Sequence, residues 1–244
     1  MVTFKSLFIA AILHVWISLC YAQGQIYYRG DGRSPAEIRA AGGFLGRGAV
    51  RLLGIVGDVS MFNHARGAAN GGATSESGYV STTTDRNIAV RFVNNNAGGN
   101  GYIYEIQGTP NFVNVQETLL DWNPYPDEVE YAALGGFGWD QVFAYQEIRN
   151  GRAGPRVTNP DFNTVFNSAR ATTRGEPRLA GFDAAHPAWR QLPWSAFAPG
   201  GCGGLPRSRR SLITRQAQTC DNFNQLYAES FMDENCSGRQ CGGV

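Results

Sequence analysis

Three features of this sequence predict an α+β fold. Short alternating apolar runs recur, short capped helical segments are interleaved with them irregularly, and the composition is glycine-rich and charge-poor, with 31 Gly and 17% charged residues among 244. A doubly wound parallel sheet would need regular strand–helix alternation, which is absent. Removing a leader of 22 residues leaves 222, enough for one substantial core and an appendage. Of the 21 basic residues the only lysine is Lys5, inside that leader, so 20 arginines balance 20 acidic residues. A phosphate backbone is bound by a surplus of basic charge, so nucleic acid is not an expected partner.

The elements follow in order. Residues 1–22 carry Lys5, an apolar run over 7–19 and the small-residue ending Cys20-Tyr21-Ala22, the pattern of a secretory signal. The run is shorter than the roughly 20 residues of a bilayer span and is broken by His14 and Ser18, so no stable membrane span is expected. Residues 26–29 read as a strand. Ser34-Pro35-Ala36-Glu37 is a capping box with Pro at the first helical position, and Gly42-Gly43 ends the helix it starts. A second short helix is expected over 58–66, carrying His64. Residues 79–83 read as a strand, Thr84 as the cap of a helix over 85–93, and 102–106 and 141–148 as further strands.

Export leaves Cys202, Cys220, Cys236 and Cys241, an even number in an oxidising compartment, and two disulfides are expected. Three connectivities are open, and proximity favours Cys202 with Cys220 and Cys236 with Cys241. Between the first two lies a Gly/Pro-rich stretch containing Arg207-Ser208-Arg209-Arg210, which has the form of a furin-type cleavage site. The chain therefore divides into a signal peptide (1–22), a catalytic domain (23–201), a disulfide-closed activation loop (202–220) and a short helical tail (221–244). In the tail Asp221 can cap a helix whose Phe223, Leu226, Tyr227 and Phe231 share one face, expected to pack on the catalytic domain.

The chemistry concentrates at Asp127-Glu128-Val129-Glu130. On an extended segment Glu128 and Glu130 project from one face while Val129 points the other way. Two close carboxylates repel, so one is pushed toward exchanging protons while the other stays ionised. Arg29 is a partly buried cation candidate or an edge residue, and Ser81-Thr82-Thr83 are strand hydroxyls. Arg29-Gly30-Asp31 spells an integrin-binding tripeptide that works only on an exposed loop tip. Without the leader two histidines remain, His64 and His186, too few for a histidine-rich metal site, and no metal is expected. Nucleophile-elbow, phosphate-loop and dinucleotide fingerprints are absent.

With Arg29, Ser81 and the Glu128/Glu130 pair in this order, the chain resembles the catalytic chains of cholera toxin and the heat-labile enterotoxins, the Arg-Ser-Glu class of mono-ADP-ribosyltransferases. The resemblance runs over roughly residues 26–220 and includes Tyr28-Arg29-Gly30-Asp31, Asn63-His64-Ala65-Arg66-Gly67, Gly78-Tyr79-Val80-Ser81-Thr82, Pro126-Asp127-Glu128-Val129-Glu130 and Ala188-Trp189-Arg190. It implies the ADP-ribosyltransferase fold, two packed sheets forming an NAD cleft, with a short disulfide-tethered tail. Breaking the nicotinamide–ribose bond of NAD builds positive charge on the ribose, which Glu130 would stabilise while holding the 2′-hydroxyl. Glu128 would align and deprotonate the acceptor guanidinium, since arginine is not deprotonated at neutral pH unaided. The resemblance makes Glu130, Glu128, Arg29 and Ser81 the catalytic set, and Arg29, Gly30, Asp31, His64, Ser81, Thr82 and Glu130 the NAD-binding set. It further implies a secreted toxin acting after entry into host cells on an acceptor arginine, with its target among the G-protein alpha subunits and a small GTPase as activator. The 34 residues from Ser211 onward are too short for the family's long pore-threading helix, which puts a B-subunit pentamer in doubt. A secreted, catalytically silent binding module is the alternative, and would be expected to have lost Arg29, Ser81 or Glu130.

Overall fold

Alternation shapes the first strand. In β1 (Ile26–Asp31) Tyr27 is buried on one face while Gly30 is buried on the other. A computed structural model describes residues 25–46, 50–51, 54–55, 57–67, 76–172, 174–198, 220–236 and 241. The predicted signal peptide, Cys202 and the Arg207–Arg210 site lie outside the described residues. After β1 come α1 (Pro35–Ala40), β2 (Gly43–Leu45), β3 (Val50–Arg51), β4 (Gly54–Ile55), α2 (Met61–Arg66), β5 (Tyr79–Thr83) and α3 (Arg86–Asn96). Then follow β6 (Gly101–Gln107), β7 (Phe112–Asn114), α4 (Val115–Leu119), β8 (Glu130–Leu134), β9 (Gly136–Gly138), β10 (Val142–Arg149), β11 (Arg152–Thr158) and α5 (Cys220–Asn235).

Seven strands pair antiparallel in the order β11-β10-β6-β1-β5-β8-β7. The ladder is uneven. β1 and β6 share six residue pairs, whereas β1 and β5 share one, Tyr28 with Thr83. The sheet is therefore two halves, β11-β10-β6-β1 and β5-β8-β7, joined at a point, and these correspond to the expected pair of sheets. The smaller pairs β2-β9 and β3-β4 stand apart from it.

Three apolar clusters hold these pieces. Tyr27, Phe44, Tyr104, Phe112 and Phe137 pack on one face, linked by ring centroids 5.0 to 5.3 Å apart. On the opposite face of β5-β8-β7, Tyr79, Val113, Ala132 and Leu134 meet Met61, Phe62 and Ala65 of α2 and Leu179, Phe182 and Trp189. The third cluster seats Ala89 and Val93 of α3 on Ile103 and Ile148. Gly30 belongs to this last contact: a Cβ there would collide with the Ala89 carbonyl oxygen, so only glycine allows the helix to approach the strand.

The capping box is present as expected, with Ser34 and Glu37 bonded reciprocally. Two helix starts differ from expectation. α2 begins at Met61 under Ser60, because Asp58 turns its carboxylate to the Ser60 N–H and the Asn63 amide instead of capping. α3 is capped by Asp85 and not by Thr84, and runs to Asn96.

Helix α5 lays Ala228 and Phe231, both essentially inaccessible, into the cluster beneath α2, and the Tyr227 hydroxyl donates to the Phe197 carbonyl. The tail thus packs on the catalytic domain, although Leu226 is turned out and 40% exposed. The helix starts at Cys220, ahead of Asp221. Cys236 and Cys241 are joined by a disulfide. Among the described residues no helix is long and apolar enough to cross a membrane.

Candidate active site

Residues i and i+2 of a strand share a face, and pairing in register brings neighbouring strands' faces together. Ser81 of β5 stands opposite Ala132 of β8, so Ser81 and Glu130 lie on the same face one step apart. Helix α2 crosses that face and presents His64. The His64 ring bonds three ways: Nε2 to Glu130 Oε1 at 3.0 Å and to Ser81 Oγ at 3.1 Å, and Nδ1 to Ser77 Oγ at 2.7 Å. His64, Ala65, Gly67, Ser81, Tyr125, Glu128 and Glu130 line one polar cavity.

The two glutamates reach that cavity by a different route from the one expected. Residues 127–130 are not extended: Pro126–Glu128 form a 3-10 turn, and Val129 is left-handed at φ 46, ψ 45. Only then does β8 begin, at Glu130. Left-handed backbone is unfavourable for a β-branched residue, which is why the segment reads as a strand. The turn is held because Thr83 Oγ1 donates to the Glu128 carbonyl at 2.8 Å. Both carboxylates still enter one cavity while Val129 is 45% exposed.

Their environments separate them. Burial pushes the Glu130 carboxyl up, but the field and hydrogen bond of His64, the Ser81 hydroxyl and the Arg29 charge outweigh it and hold the group below the usual glutamate range. For Glu128 burial comes first and the negative charge of Glu130 adds to it, so its carboxyl is raised despite His64 and Arg91. One carboxylate is therefore kept ionised and its neighbour is readier to hold a proton.

The other predicted residues support this pair from behind. Arg29 Nη1 donates to the Ser81 carbonyl at 2.8 Å, Nη2 lies 3.3 Å from Asp31 Oδ2, and the guanidinium sits 5.4 Å above the Phe44 ring. Asp31, 8% exposed, is gripped by Arg33 through two further bonds, which with Arg29 hold its carboxyl below the ordinary aspartate range against the opposing effect of burial. Thr82 points away from Ser81 and donates to the Tyr131 carbonyl at 2.7 Å, beside Glu130. The structure thus brings His64, Ser81, Glu128 and Glu130 together on the cavity, and places Arg29, Gly30, Asp31 and Thr82 in its scaffold. The tripeptide Arg29-Gly30-Asp31 lies within a central strand and not on a loop tip. His186 is packed elsewhere, stacked on Phe182 with centroids 4.4 Å apart. Tyr125 and Ser77 escape sequence reasoning, since nothing there distinguishes them from other turn residues. Among the described residues no cluster of His, Cys, Asp and Glu could hold a metal ion.

A buried, low-lying carboxylate fixed by a histidine and a serine, with a second carboxylate beside it at the seam of a split sheet, is the arrangement of ADP-ribosyltransferase toxins, a class whose co-substrate is NAD. The same architecture occurs in a heat-labile enterotoxin double mutant, which matches with a TM-score of 0.69 at 28% identity over 85% of this chain and 89% of that one. The family model described as heat-labile enterotoxin alpha chain matches residues 7–237, and the chain belongs to that family. The catalytic chain of the cholera enterotoxin of Vibrio cholerae serotype O1 is 34% identical over 224 residues, 89% of this chain and 84% of its own length. A Vibrio cholerae protein named as the NAD(+)–arginine ADP-ribosyltransferase Chelt is 38% identical over 206 residues; the match takes in 82% of this chain but only 34% of that longer protein.

Proposed function

We propose that this chain is a secreted mono-ADP-ribosyltransferase that moves ADP-ribose from NAD to an arginine side chain of a host protein. The observation that carries the reading is the contrast between Glu130, held ionised by His64, Ser81 and Arg29, and Glu128, raised beside it in the same cavity. When bound, NAD supplies a ribose carbon that gains positive charge as its bond to nicotinamide breaks. Glu130 provides the negative charge that favours this development and an acceptor for a ribose hydroxyl. Glu128 is the group able to accept the proton that the acceptor guanidinium nitrogen must give up as it bonds to that carbon. Without an acceptor, water takes its place, so a glycohydrolase side activity accompanies transfer. His64 and Ser81 orient Glu130, and Arg29 holds the strand that carries Ser81.

The resemblance to enterotoxin catalytic chains extends the proposal to an acceptor among the G-protein alpha subunits, a small GTPase as activator, and activation by nicking within residues 207–210 followed by reduction of a Cys202–Cys220 disulfide. The test is incubation of nicked, reduced protein with isotope-labelled NAD and a eukaryotic lysate, then mass spectrometric identification of the modified residue. ADP-ribose on arginine is expected; label on another residue type, or no label with an intact NAD pool, would overturn the reading. The second outcome is the one a catalytically silent binding module would give.

A further inference from the structure

Ser77 is buried against the His64 ring on the side away from the glutamates. It is 1% exposed, its Oγ lies 2.7 Å from His64 Nδ1, and the same Oγ accepts the Tyr79 N–H at 3.2 Å. These are its hydroxyl's partners among the described residues. The oxygen already accepts a backbone proton, so the hydroxyl's own proton has one place to go, the Nδ1 lone pair. The ring proton must then sit on Nε2, which faces Glu130 Oε1 at 3.0 Å and Ser81 Oγ at 3.1 Å. The opposite tautomer fails twice: it sets the Nε2 lone pair against a carboxylate oxygen and leaves the Ser77 hydroxyl proton buried without an acceptor.

We infer that Ser77 is a positioning residue of the active site, which fixes the Nε2–H tautomer of His64 and through it the orientation of the Glu130 carboxylate. The tautomer of an imidazole is set by the bond its other nitrogen makes, and here that partner is a hydroxyl that can only donate. The role rests on the proposed transferase reading for its catalytic consequence, whereas the tautomer itself does not depend on that reading. Neither Ser77 nor the contact is visible in the sequence, because thirteen residues and a change of element separate serine from histidine.

Nitrogen-15 NMR of the histidine rings tests the assignment directly. The full chain contains three histidines, His14, His64 and His186, so a His186→Asn variant suffices to assign the His64 signals. Wild-type protein is expected to show the Nε2–H form of His64. Ser77→Thr should keep both that form and the activity. Ser77→Ala should show mixed tautomers, with NAD glycohydrolysis and transfer reduced together by roughly tenfold or more. An Nδ1–H signal for His64 in the wild-type protein overturns the inference, as does a folded Ser77→Ala variant with unchanged tautomer and turnover. If Ser77→Ala does not fold, the wild-type and Ser77→Thr spectra decide the matter alone. Wild-type protein that shows the Nε2–H form yet cleaves no NAD removes the catalytic reading and leaves the tautomer assignment standing.

Discussion

Arg29 donates from Nη1 to the Ser81 carbonyl across a junction where β1 and β5 share a single residue pair. The side chain stitches the two halves of the sheet together, and Asp31 and Phe44 hold the guanidinium in place. Lysine can offer one donor but not the planar fork, so it cannot serve Ser81 and Asp31 together.

Arg29→Lys is accordingly expected to cost about 1–3 kcal/mol of stability and to lower NAD cleavage at least tenfold. Denaturant unfolding and a glycohydrolase assay measure the two effects. Retained cleavage in a destabilised protein would mean that the stitch serves folding alone.

Glu130→Gln removes the charge at nearly constant volume. Transfer and glycohydrolysis should both fall by about a hundredfold or more, while the circular dichroism spectrum stays that of the wild type. Near-normal turnover would sink the assignment of Glu130.

Glu128→Gln should reduce transfer to a small guanidino acceptor far more than glycohydrolysis, because water needs no deprotonated guanidinium. The raised Glu128 carboxyl also gives a pH signature. As pH falls through a range above that of an ordinary glutamate, Glu128 takes up a proton and transfer declines; Glu130, held low, stays ionised and hydrolysis persists. Parallel profiles for the two reactions would argue against the base role.

Gly30→Ala places a methyl against the Ala89 carbonyl. A loss of about 1–3 kcal/mol in stability is expected, with the KM for NAD unchanged in whatever fraction remains folded. A raised KM without loss of stability would instead move Gly30 into the NAD-binding surface.

Nicking and reduction are expected to raise activity from a low level in the intact oxidised chain. An assay of intact, nicked, reduced, and nicked and reduced samples with a guanidino acceptor checks this. Equal activity in all four would assign the loop to assembly or secretion.

The sequence is most legible where structure is local. The Ser34–Glu37 capping box needs four residues, and the strands β1, β5, β6 and β10 announce themselves by alternation. Asp58 misleads because an acidic residue ahead of a helix can cap it or, as here, bond the true cap, Ser60, from outside. The Glu128–Glu130 segment reads as extended because a left-handed turn at a β-branched residue, Val129, has no sequence signal; only Thr83, more than forty residues away, holds the turn. Ser81 and Glu130 can be named by resemblance, but their contact through His64 depends on the β5–β8 register and on where α2 crosses it. Both are properties of the assembled sheet.

Helix α5 contributes Ala228 and Phe231 to the cluster that also receives Met61, Phe62 and Ala65 of α2, the helix that carries His64. Cutting the loop and reducing its disulfide would leave this contact in place, since the burial of Phe231 alone contributes about 1.5–3 kcal/mol. Departure of the tail therefore requires something to compete for its greasy side, and the liberated enzyme would show its surroundings a fresh sticky patch around Leu179 and Phe182. Whatever protein covers that patch next would sit against the backing of the catalytic histidine, turning a maturation step into a change of company.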